Sequence, residues 1–127
     1  MAIKRFEDLE VWKLSLRLTR DIYDLASQPK FNKDYGLRDQ IQRAVISVSS
    51  NIVEGFDKRN NNEFIRFLKI SSGSLGEVKN QLYIALTIQY ITQRQFDGAL
   101  VKVEELSAKI GGLVSYLLKV RNRRINS

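Results

Sequence analysis

The sequence predicts an all-α fold, a single domain over residues 1–127 built as an antiparallel up-down-up-down four-helix bundle. Three observations carry the prediction. Four long stretches place apolar residues at intervals of three and four, the 3.6-residue period of a helix with one buried face. One proline, Pro29, interrupts 127 residues. The connections between the stretches are short and polar, and short connections between long helices make neighbours antiparallel.

The first helix spans residues 8–26, following Phe6 and ended by Ser27-Gln28-Pro29, because proline cannot continue a helix and restricts the residue before it. Lys30 to Asp34 then form the longest connection. The second helix spans residues 36–56 on a stripe of Leu37, Ile41, Ala44, Val45, Val48, Ile52 and Phe56. Asp57 to Asn62 make a polar turn in which an Asn can cap the next helix. The third helix, residues 62–90, carries Phe64, Leu68, Leu75, Val78, Leu82 and Leu86. A helical glycine costs about 1 kcal/mol against alanine, so Gly73 and Gly76 in this helix predict close packing there. The fourth, residues 93–122, gives the cleanest stripe: Phe96, Leu100, Val103, Leu106, Ile110, Leu113, Val114 and Leu117.

The first helix has two stripes. Val11, Leu14, Leu18, Ile22 and Leu25 face a core, while Leu9, Trp12, Leu16 and Tyr23 lie roughly 140° away on the helical wheel. Large apolar patches rarely stay exposed, so the second stripe predicts a subunit interface. The competing reading is that Trp12 and Tyr23 cover the connection holding Phe31.

With 43% apolar and 28% charged residues the chain is globular. It has no cysteine, hence no disulfide framework and no thiolate metal site. No stretch reaches the roughly 18 apolar residues of a membrane span, and the first residues lack the apolar run of a signal peptide. A soluble cytoplasmic protein with no membrane partner is expected. Formal charge is +7. From Leu106 onward lie Lys109, Lys119, Arg121, Arg123 and Arg124 without an acid, so most of the excess sits at the C-terminal end. Such an end complements the helix dipole and also suits anions or nucleic acid.

Signals for chemistry are poor. There is no histidine, which removes the commonest general base and metal ligand. Ser47, Ser49 and Ser50 lack a nucleophile elbow, and Gly73-Ser74-Leu75-Gly76 lacks a phosphate-binding pattern. Glu104-Glu105 and the Asp21/Asp24 pair sit on helix surfaces. No catalytic residue, metal or cofactor is expected, and the chain reads as a non-enzyme. Arg43, Asn51 and Glu54 stand out as polar groups on the second helix. They form either a register-fixing network or a partner-binding patch continuing to Lys58 and Arg59.

Several runs carry a resemblance: Phe6-Glu7-Asp8-Leu9-Glu10-Val11-Trp12, Tyr35-Gly36-Leu37, Gln40 to Ala44, Ser47 to Gly55, Glu63 to Leu68, and Gly73 to Glu77. Together they resemble the four-helix-bundle proteins encoded in intervening sequences of bacterial 23S rRNA genes. Ser49 stands where that family often has proline. The resemblance implies a bundle assembled as a homo-oligomer, a ring of five subunits, with no established catalytic activity. A related bundle is the accessory variability protein of diversity-generating retroelements, which binds a reverse transcriptase and nucleic acid. The functional expectation is therefore a homopentameric bundle binding RNA or DNA, or a nucleic-acid-processing protein such as a reverse transcriptase. The contacting residues would be Lys58, Arg59, Lys119, Arg121, Arg123 and Arg124. The alternative is a structural or protein-interaction scaffold that binds no nucleic acid.

Overall fold

In a computed structural model of the chain, residues 3–126 are described, with side chains for residues 3–121. A 3₁₀ turn at Phe6–Asp8 leads into α1 (Glu10–Ala26), followed by α2 (Pro29–Lys33), α3 (Tyr35–Asp57), α4 (Asn61–Thr87) and α5 (Gln93–Asn126). No strand forms among the described residues. The four long helices make an all-α bundle in which α1 and α4 each pack against α3 and α5. The Ser47–Ser74 and Val48–Ser71 contacts show α3 and α4 running antiparallel.

The predicted stripes are the core. Leu18, Ile22, Ile41, Val45, Val48, Ile52, Leu68, Leu75, Leu82, Leu106 and Ile110 are at most 2% exposed. Each such side chain contributes about 1.5–3 kcal/mol by leaving water. Position along the helices is fixed by caps. Asp34 accepts the Leu37 N–H at 3.1 Å and Asn60 accepts the Glu63 N–H at 3.0 Å. Thr92 and Gln95 bond each other's backbone N–H reciprocally, a capping box that starts α5.

Four expectations need correction. The connection after Pro29 is itself helical, because proline at the first position of a helix already has the required φ and lacks only a donor the helix would not use. That turn buries Phe31 completely, against Tyr90 at 5.7 Å between ring centroids. Helix α4 stops at Thr87, not residue 90. Gln89 takes a positive φ of 64°, and the Tyr90 N–H bonds back to the Ala85 carbonyl at 2.8 Å, folding Tyr90 over Phe31. Helix α5 continues to Asn126. Gly73 and Gly76 face open space, with nothing within 4 Å of an added Cβ. The close approach is at Gly55, where a Cβ would lie 2.6 Å from the Phe67 Cβ.

The second stripe of α1 divides. Leu9 is 6% exposed and belongs to the core, and Trp12 is half-buried with its ring edge-on to Phe6 at 5.3 Å. The turn at Phe6–Asp8 folds back over this part of α1, which the wheel alone cannot show. Leu16 and Tyr23 remain exposed, at 44% and 40%. Trp12 covers Phe6, not the segment holding Phe31.

Candidate nucleic-acid interface

Two polar clusters mark opposite ends of the bundle. At one, Tyr90 donates to Asp34 at 3.0 Å and Gln95 to Gln28 at 3.3 Å. The Asp34 carboxylate, by accepting that bond, raises the Tyr90 phenol above its ordinary range.

The other end gathers the basic residues. The α3–α4 connection places Lys58 and Arg59 there, with Arg59 held at φ 54°. Arg59 donates through Nη2 to the Lys4 carbonyl at 3.2 Å and lies over the Phe56 ring at 4.8 Å. Lys58 and Arg66 ride on Phe67, at 5.8 and 4.4 Å from its centroid. From α5, Arg121 reaches back to Asn62 Oδ1 at 3.3 Å, while its Nε is buried without an acceptor. Beside Arg59, which contributes to its wall, a groove of about 490 Å³ is lined by Leu9, Phe56, Phe64, Tyr116 and Val120. Tyr116 is 56% exposed.

Acids offset only part of this charge. Arg5 pairs with Glu7 at 2.7 Å and Arg66 with Glu63 at 2.6 Å. These bonds hold both carboxyls below their usual range, the guanidinium hydrogen bond being the main cause. Lys58, Arg59 and Arg121 form no ion pair among the described residues. Of the residues singled out from sequence, the structure therefore unites Lys58, Arg59 and Arg121. Lys119 is exposed on α5, and the Arg123 and Arg124 side chains lie outside those described.

Arg43, Asn51 and Glu54 do not form one patch. Asn51 donates through Nδ2 to the Ser47 carbonyl at 2.8 Å and to Ser47 Oγ at 2.9 Å. Ser47 Oγ lies 2.9 Å from Ser74 Oγ, and Ser71 donates to the Val48 carbonyl at 2.8 Å. Asn51 thus belongs to a polar seam joining α3 to α4. Glu54 lines a shallow cleft with Ser50, Asp57 and Lys58 instead. Arg43 is exposed on α3 and lines a different cleft, of about 300 Å³, shared with Ser47, Ser74, Glu77 and Gln81.

Reasoning from sequence missed Tyr116, Arg66 and Gln81. Gln81 was visible as a polar residue interrupting the apolar stripe between Val78 and Leu82. Tyr116 is an exposed aromatic beside the α5 stripe and carries no separate signal. Among the described residues, no helix is long and apolar enough to cross a membrane.

No curated protein matches the chain. One similar structure is a protein with unknown function from the S23 ribosomal protein family of Bacteroides thetaiotaomicron. It is 22% identical with a TM-score of 0.74, over 82% of this chain and 97% of that one; at this identity the likeness shows the all-helical fold alone. A family model described as 23S rRNA-intervening sequence protein matches residues 7–112, from the turn before α1 to the middle of α5. By that match, the chain belongs to the 23S rRNA-intervening sequence protein family.

Proposed function

We propose that this chain is a non-catalytic, self-associating helical bundle that binds nucleic acid through its basic end. One observation carries the reading. Lys58 and Arg59, from the α3–α4 connection, share an end with Arg121 of α5, and an exposed Tyr116 lies in the groove beside them. Cations supply sequence-independent phosphate contacts, and an exposed ring offers a stacking surface for unpaired bases. Single-stranded RNA or DNA suits this combination best. Self-association rests on the exposed Leu16 and Tyr23 of α1, and a ring of five is the arrangement the family resemblance implies. A ring would repeat the basic end on every subunit, so weak phosphate contacts would add by multivalency.

The test is a fluorescence anisotropy titration with mixed-sequence single-stranded RNA and DNA at low and high salt. Wild-type binding should weaken steeply with salt, because neutralised phosphates release counterions. Changing Lys58, Arg59 and Arg121 together to Gln should weaken binding to every sequence. It should also flatten the salt dependence by about 0.7 per lost contact on single strands. Tyr116→Ala should weaken binding with the salt slope kept. No binding by the wild type at low salt would sink the proposal and leave the scaffold reading.

A further inference from the structure

We infer that the cleft between α3 and α4 is a binding site for a small zwitterion of the α-amino-acid type. It stands on residues separate from the basic end. Arg43 lines the cleft from α3 and Glu77 from α4, so opposite charges face one small space from opposite walls. Neither forms an ion pair among the described residues. Nor do they satisfy one another, although both side chains border the same opening.

The decisive group is Gln81. It is 7% exposed, lines this cleft, and its Oε1 is buried with no hydrogen-bond partner. Buried acceptors without a donor are uncommon in folded proteins. Ser47 and Ser74 share one hydrogen bond, and Ser47 also accepts from Asn51. No group in the structure donates to the Gln81 oxygen, so a donor on a ligand entering the cleft would complete it. The terminal torsion of a glutamine amide is broad, so the oxygen is free to turn toward the cleft that the residue lines.

The charges then specify what enters. An ammonium has three N–H donors and no acceptor, the same donor set as a lysine head group. It matches the Gln81 oxygen and the Glu77 carboxylate together. A carboxylate at the other end of the ligand matches the Arg43 guanidinium, which can bind it through two parallel bonds. An α-amino acid carries both groups on adjacent atoms, and about 300 Å³ is the lower end of the usual range for small-molecule sites. Inorganic phosphate fits poorly, since it meets the Glu77 carboxylate with like charge. A nucleobase fits poorly too, because no aromatic ring lines the cleft to stack on it.

The experiment titrates the full chain with glycine, L-glutamine, L-glutamate and L-lysine, following the side-chain amide resonances of Gln81 and the melting temperature. At least one amino acid should move the Gln81 resonances and raise the melting temperature. Acetate or methylamine alone, each with half the charges, should bind at least tenfold more weakly. Arg43→Gln and Glu77→Gln, both at exposed positions, should each weaken binding at least tenfold while the fold persists. Gln81→Leu, which removes the orphan oxygen at similar volume, should abolish the response and leave the protein folded. The inference is overturned if no amino acid moves Gln81 at about 10 mM, well above a millimolar dissociation constant. It is equally overturned if Arg43→Gln and Glu77→Gln bind like wild type, or if guanosine monophosphate or inorganic phosphate moves Gln81 where amino acids do not. Nucleic-acid binding at the basic end should survive all three substitutions, so failure here and failure there are separate results.

Discussion

A methyl group added at Gly55 would sit 2.6 Å from the Phe67 Cβ and 3.2 Å from the Phe64 ring. Neither is the free end of a flexible chain, so α3 and α4 would have to part. Gly55→Ala should destabilise by about 1–3 kcal/mol, the usual effect of overpacking, despite alanine's better helix propensity. Gly73→Ala and Gly76→Ala meet nothing within 4 Å. Each should stabilise by about 0.5–1 kcal/mol through propensity alone. Urea unfolding of the three variants checks the opposite signs. Composition could not distinguish these positions, because a helical glycine marks either contact or mere tolerance, and only the facing helix decides. A second residue-scale prediction concerns Tyr90, whose phenol is raised by its bond to Asp34. A folded-state value above the unfolded one means that the bond contributes fully below the ordinary phenol range, about 10. The contribution is lost as pH rises through the folded value. Tyr90→Phe should therefore melt lower than wild type at neutral pH, and the gap should close in strongly alkaline buffer.

At the scale of elements, the helical period made the four long helices and most of the core legible. The α5 stripe from Phe96 to Leu117 is buried or half-buried throughout. The ends were less legible, for local reasons. Pro29 reads equally well as the stop of one helix and the first residue of the next, and burial of Phe31 decides for the second. The end of α4 depends on a positive φ at Gln89, a residue type that gives no warning of it. The apolar surface of α1 was half legible. The period showed two stripes, but it could not show the turn at Phe6–Asp8 folding back over Leu9 and Trp12. The interface prediction therefore narrows to Leu16 and Tyr23. Leu16→Glu combined with Tyr23→Glu should leave helix content intact, since both positions are exposed. If they join subunits, light scattering should show the variant near 14.7 kDa and the wild type at several times that mass. A wild type already at the monomer mass would remove self-association from the proposal.

On the scale of the whole molecule, the candidate site was legible as residue types but not as a place. Lys58-Arg59 and Arg121 stand some sixty positions apart, and only the arrangement of the helices brings them to one end beside Asn62. Of the rings beneath the cations, Phe56 under Arg59 belongs to the core stripe, while Phe67 under Lys58 lies outside the stripes read from the sequence. Phe56 thus serves packing on one side and supports a cation on the other, a double use that periodicity does not register.

The open glycines of α4 have a further consequence, for how the bundle breathes. Gly73 and Gly76 stand near the middle of a helix whose other face is buried from Phe64 to Ala85. No side chain from either residue shields the backbone there, and each weakens the local helix by about 1 kcal/mol relative to alanine. Local opening follows the least protected amides, so α4 should loosen first at its centre while both halves stay docked. Deuterium uptake should accordingly run faster at residues 73–77 than in flanking segments of the same helix. Uniform protection along α4, or loosening only from its ends, would show that packing against α3 and α5 overrides the glycines.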